Sequence, residues 1–77
     1  MSDEVSVYPN PTNGVLNINA AGMKRVVVMN MLGQVVYDAP ADTEAVSLDL
    51  SQYGAGMYLI RIDTENGTVV KKVSVTK

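Results

Sequence analysis

The sequence predicts an all-β domain, a sandwich or a barrel, on three observations. Apolar and polar residues alternate with a period of two almost throughout, the alternating runs are short and rich in β-branched residues, and turn residues interrupt them every eight to ten positions or about that. The runs define seven candidate strands, roughly Val5–Tyr8, Val15–Asn19, Arg25–Asn30, Gln34–Asp38, Ala45–Leu50, Met57–Thr64 and Thr68–Thr76. Between them stand Asn13-Gly14, Gly22, Leu32-Gly33, Pro40, Gly54 with Gly56, and Asn66-Gly67, each offering a left-handed or φ-locked backbone position. No repeat, linker or low-complexity tract breaks the pattern, so a single domain is expected.

The first run ends in YPNPTNG, Tyr8 to Gly14. Proline cannot donate to a β ladder, and it pushes the residue before it toward extended geometry. Pro9 and Pro11 are therefore expected to end the strand and to hold Tyr8 to Pro11 as a stiff extended rod, which Asn13-Gly14 turns into VLNIN. Such a corner sets strand spacing and protects an edge. Being rigid, it would also cost a partner little ordering entropy, and both roles stay open.

In the next runs the inward set is Val5 and Val7, then Leu16 and Ile18, and later Val46, Leu48 and Leu50. VVVM, Val26 to Met29, is apolar on both parities and reads as a central strand or one covered on both sides. LGQ, Leu32 to Gln34, reads as a tight hairpin turn. The last two runs flank an Asn-Gly pair, the strongest short-range hairpin signal. A two-residue turn at Asn66-Gly67 sets Ile62 opposite Lys71, Ile60 opposite Val73 and Tyr58 opposite Val75. Tyr58, Ile60, Val73 and Val75 then share one face, while Arg61 meets Lys72 on the other, an unfavourable like-charge pair; a three-residue turn would relieve it but set Ile60 against Lys72, so the first register is preferred.

Composition excludes several function classes. The chain has 77 residues, 47% of them hydrophobic, with no cysteine and no histidine. Folding must rest on packed apolar side chains, since disulfides and the commoner soft metal ligands are missing. Six basic and eight acidic residues are scattered singly for a net charge of −2, which is not the basic face that tracks phosphates, so no nucleic-acid partner is expected. No serine stands in a nucleophile elbow, and Asp49 and Asp63 show no sign of pairing, so the domain is not read as an enzyme. No cofactor and no metal are expected: Asp38, Asp42 and Glu44 lack the spacing of a calcium loop, and the methionines, among them Met29, Met31 and Met57, read as gap-fillers. The start MSDEVS has neither a basic nor an apolar leader region, and no apolar run is long enough to cross a bilayer.

Nearly the whole chain resembles a known family. From VYPNPTNGVLNI through VVVMNMLGQVVYD to LDLSQYGAGMYLIRIDTENGTVVKKVSVTK, it is similar to the type A C-terminal sorting domain of cargo proteins of the type IX secretion system of Bacteroidota. The proline–proline–glycine element falls on Pro9, Pro11 and Gly14. The glycine–any–tyrosine element falls on Gly56, Met57 and Tyr58. The lysine-bearing final strand falls on Lys71, Lys72 and Lys77, although Lys72 and Lys77 are spaced one residue wider than is usual for the family. The internal N-x-L-G-Q element, Asn30 to Gln34, is also typical.

The resemblance implies an immunoglobulin-like β-sandwich of about seven strands over residues 5–77, with residues 1–4 a linker or an expression remnant. It implies a targeting signal at the end of a larger protein that reaches the periplasm by its own N-terminal signal peptide. The outer-membrane translocon would recognise the folded domain and pass the N-terminal cargo to the cell surface or the medium, and a sortase-like peptidase would then cut the domain off. The residues so implicated in recognition are Pro9, Pro11, Gly14, Gly56, Tyr58, Lys71, Lys72 and Lys77. The default roles beside these are a bulge or left-handed strand entry for Gly56, core packing for Tyr58 and solvated edge charges for the lysines. A strand edge left free by the last hairpin would also allow a weak homodimer. The rival reading is a small immunoglobulin-like adhesion or carbohydrate-binding module, but such modules usually present aromatic platforms. This chain has four tyrosines and neither tryptophan nor phenylalanine.

Overall fold

Alternating runs with the same period can pair without exposing their apolar sets, and in the computed structural model, which describes residues 5–76, they do so in two antiparallel sheets. The strands are β1 (Val5–Tyr8), β2 (Val15–Ala20), β3 (Met23–Asn30), β4 (Val35–Pro40), β5 (Ala45–Asp49), β6 (Gly56–Thr64) and β7 (Gly67–Val75), with a short 3-10 turn, Ser51–Tyr53, between β5 and β6. One sheet has the order β1-β2-β5 and the other β4-β3-β6-β7. This is the strand distribution of an immunoglobulin-like sandwich, with the first, second and fifth strands facing the third, sixth and seventh plus one extra edge strand.

The inward parity is the expected one for β2, β5, β6 and β7, and the structure settles that of β3, which is apolar on both parities. Leu16 and Ile18 of β2, Val26 and Val28 of β3, Leu48 and Leu50, Tyr58, Ile60 and Ile62 of β6, and Val73 and Val75 of β7 form one buried cluster. β3 is central, between β4 and β6. Its outward Val27 is nevertheless only 6% exposed, between Asp38 and Arg61 on the two flanking strands. Asn30 closes the β3–β4 hairpin: its side-chain oxygen accepts from the backbone N–H of Leu32 at 2.9 Å and of Gln34 at 3.0 Å, and its amide donates to the Gln34 side chain at 2.9 Å. Leu32 is left at the tip, 84% exposed.

Three expectations are corrected. The β6–β7 register is shifted by two residues: Thr64 pairs with Gly67, Ile60 with Lys71 and Tyr58 with Val73. The turn residues are thus Glu65 and Asn66, and no described non-glycine residue has a positive φ, as a turn on Asn66-Gly67 would require of Asn66. Thr64 fixes the alternative, because its hydroxyl donates to the Gly67 carbonyl at 2.9 Å and accepts from the Asn66 N–H at 3.1 Å. Arg61 then faces Val70 and Lys72 faces Leu59, so the like-charge pair disappears. A shift of two preserves parity, which is why the inward set is unaffected. Second, Met23 is buried, but Met31, in the β3–β4 turn, and Met57, on the outward parity of β6, are exposed and fill no gap. Third, residues 8–11 form no extended rod: Pro9 and Asn10 are bends, and both the Tyr8–Pro9 and Asn10–Pro11 peptide bonds are cis.

Freed from Lys72, Arg61 pairs along its own strand with Asp63, at 3.2 and 3.3 Å, and the Thr68 hydroxyl donates to the same carboxylate at 2.9 Å. The Arg61 bond, then the Thr68 bond, hold the Asp63 carboxyl below the ordinary aspartate value. A carboxyl lowered on folding adds stability that is complete above its unfolded value and is lost as pH falls through its folded value. Denaturant midpoints followed from about pH 6 to about pH 2 should therefore fall less steeply in Asp63→Asn than in the parent. Equal slopes would refute the assignment. The effect is small, since the pair is solvent-facing.

Candidate recognition surface

The proline–proline–glycine element is where the chain, between two strands of one sheet, reaches across to touch the other. β1 pairs with β2 at the edge of the three-stranded sheet. Past the prolines, Thr12 forms a parallel bridge with Val75 of β7, at the edge of the four-stranded sheet. Pro9 and Pro11 themselves are exposed; the residues between and after them make the bonds. The Asn10 side chain imitates a peptide group against β7, donating to the Lys72 carbonyl and accepting from the Ser74 N–H, both at 3.0 Å. Thr12 donates its N–H to the Ser74 carbonyl at 2.9 Å and accepts from the Thr76 N–H at 2.8 Å. Its hydroxyl accepts from the Gly14 N–H at 3.1 Å and donates to the Val15 carbonyl. At 2% exposure Thr12 is the one buried polar side chain among the described residues, and these bonds leave it satisfied.

Gly14 has φ +147°, and a Cβ built on it would lie 2.9 Å from the Ser51 Cβ. Its carbonyl accepts from the Leu50 N–H at 2.7 Å. The corner is thereby pressed against the turn that joins β5 to β6. Tyr58 holds the same turn from the other side. Its ring is 5% exposed, and its hydroxyl donates toward the carbonyls of Tyr53 at 2.7 Å and Gly54 at 2.9 Å. A tyrosine at the start of the sixth strand bonded back to the chain just upstream is the tyrosine corner of immunoglobulin-like sandwiches. Two residues earlier, Gly56 opens β6 with φ +144° and open space around it, and it pairs with Val75.

Three elements far apart in sequence therefore meet at one end of the sandwich. Gly56, Val75 and Thr12 lie in one row across the sheet, while Gly14 and Tyr58 grip the same turn. Lys71 and Lys72 lie beside this end, exposed, and among the described residues neither has an ion-pair partner. They border a groove of about 480 Å³ between β1 and β7, lined also by Val5, Val7, Tyr8 and Asn10. Lys77 lies outside the described residues.

The model of the secretion system C-terminal sorting domain matches residues 6–76. The chain belongs to that family. No curated protein shows significant similarity to it. The chain is a C-terminal sorting signal of the type IX kind, and its fold is an all-β sandwich. Sequence reasoning singled out the glycines, prolines and tyrosine of this sorting domain but missed Asn10 and Thr12. A threonine directly after a proline and two residues before a glycine is the signal that could have found Thr12, since its hydroxyl can cap a local turn. Nothing local marks Asn10, whose partners on β7 lie 62 and 64 residues away.

Proposed function

We propose that the outer-membrane type IX translocon reads this sorting domain as a folded shape and carries the protein joined to its N-terminus from the periplasm to the cell surface. A sortase-like peptidase then removes the domain upstream of Val5. The observation that supports the reading is the convergence of the three signature elements on one end of the sandwich, where they order each other and leave two exposed lysines at its side with no ion-pair partner among the described residues. A surface whose backbone is already fixed costs a receptor little ordering entropy. In this reading Pro9, Pro11, Gly14, Gly56 and Tyr58 build the presented end, and Lys71, Lys72 and Lys77 supply its charge. The adhesion or carbohydrate-binding reading has weaker support, because Tyr58 is buried and Tyr37 and Tyr53 pack partly into the core. Tyr8 is left as the exposed ring, and its hydroxyl accepts from Asn19 at 2.7 Å.

The test is a periplasm-exported reporter followed by this domain in a type IX-competent strain. The parent domain should deliver the reporter to the cell surface. The double variant Lys71→Glu with Lys72→Glu, both at exposed positions, should leave it in the periplasm while the purified domain melts as the parent does. A parent fusion that stays in the periplasm would refute the proposal.

A further inference from the structure

We infer that the groove between β1 and β7 takes an extended acidic segment of a partner protein, which adds to the free edge of β7 as an eighth strand. The inference rests on the sorting reading for where the partner resides, but its chemistry comes from the edge itself.

The bonds to the proline corner show which way the β7 backbone points. Ser74 turns both its N–H and its carbonyl away from β6, toward Asn10 and Thr12, and Lys72 turns its carbonyl the same way. Strand geometry has a period of two, so the N–H and carbonyl of Thr68 and Val70 and the N–H of Lys72 lie along that same edge. Asn10 and Thr12 cover the edge from Lys72 onward and stop there. Over Thr68 to Lys72 β7 is an outer strand, and no described residue bonds to those groups. Beside this bare stretch runs the groove of about 480 Å³, floored by the half-buried Val5 and Val7 of β1 and bordered by Lys71 and Lys72.

An unpaired edge asks for a strand, and the side chains choose which one. Lys71 lies on the inward parity with Val73, and Lys72 on the outward one, so a strand laid beside them passes both charges. Side chains opposite one another on neighbouring strands have Cβ atoms about 5 Å apart, within reach of a carboxylate–ammonium pair. The apolar floor favours a β-branched residue between the carboxylates. A second copy of this chain fits less well: antiparallel registers centred on Val70 or Lys71 set Lys71 of one copy opposite or diagonal to Lys71 of the other. The lysines thus discourage self-addition and admit an acidic strand.

The probes are two synthetic peptides of about nine residues, roughly the length of a long strand, one alternating glutamate with valine and one alternating lysine with valine. Added to the isotope-labelled 77-residue chain, the glutamate peptide should slow amide exchange at Thr68, Val70 and Lys72 and bind at least about tenfold tighter than the lysine peptide. Val70→Pro removes an outward N–H that β6 does not use, and proline is tolerated at such edge positions. It should weaken the glutamate peptide about tenfold with the thermal midpoint little changed. Lys71→Glu with Lys72→Glu should reverse the charge preference, which keeps the idea falsifiable if the proline variant does not fold. Equal binding of the two peptides, protection at other amides, or concentration-dependent protection of the β7 edge without peptide, which marks a second copy, would each overturn the inference. If peptide binding fails while the parent fusion still reaches the surface, strand addition alone falls. If the fusion stays in the periplasm while the peptide binds as described, the sorting reading alone falls.

Discussion

Replacing Tyr58 with alanine should unfold most of the population at growth temperature, because the loss approaches the stability of the whole domain. Removing a buried aromatic ring costs about 3–5 kcal/mol, and the core of a chain this small, with no disulfide to add to it, rarely supplies more than about 3–5 kcal/mol in total. Tyr58→Phe separates the ring from the hydroxyl. It keeps the packing among Ile60, Val73 and their neighbours and removes the donor shared by the Tyr53 and Gly54 carbonyls, which should cost about 1–2 kcal/mol. In urea titrations the phenylalanine variant should show a lower midpoint with an unchanged slope, and the alanine variant no folded baseline at all. In the reporter fusion the first should still be delivered and the second not. A folded phenylalanine variant that is not delivered would instead make the hydroxyl itself a contact for the receptor.

Gly14→Ala is the second large effect, expected at about 2–4 kcal/mol. Its backbone angle of +147° is one that side chains with a Cβ rarely adopt, and the new Cβ would lie 2.9 Å from Ser51. Gly56→Ala is the control. Its angle of +144° carries a similar backbone penalty, but no atom lies within 4 Å of the added carbon, so its cost should be limited to about 1–2 kcal/mol. A double-mutant cycle with Ser51→Gly measures the crowding alone, after allowance for the bond that the Ser51 hydroxyl donates to Asp49 at 2.6 Å. Recovery of Gly14→Ala by Ser51→Gly should be partial, restoring the contact and not the angle. Equal costs for the two glycine variants would show that the corner gives way and that Gly14 is not held against the β5–β6 turn.

These two variants explain why the glycine–any–tyrosine and proline–proline–glycine elements can be read from sequence although their work is tertiary. Each leaves a local mark, a glycine where the backbone must take an unusual angle or a tyrosine on the inward parity. Neither mark says what is touched. Leu32 and Gly33 announced a hairpin, but the side chains that close it are those of Asn30 and Gln34.

The sequence by itself determined seven strands, the inward parity of Leu16, Ile18, Leu48, Leu50, Tyr58, Ile60, Val73 and Val75, and membership in the sorting-domain family, while for β3 it left the inward parity open. All of these depend on period, turn composition and motif order, which are properties of neighbours along the chain. Tertiary structure alone decided the β6–β7 register, the bends at Pro9 and Asn10, the burial of Thr12 and the gap at the β7 edge. A slip of two residues keeps every side chain on its own face, so alternation cannot distinguish the registers. The corner's bonds reach residues more than sixty positions away, and only the closing of one sheet on the other brings those residues within range.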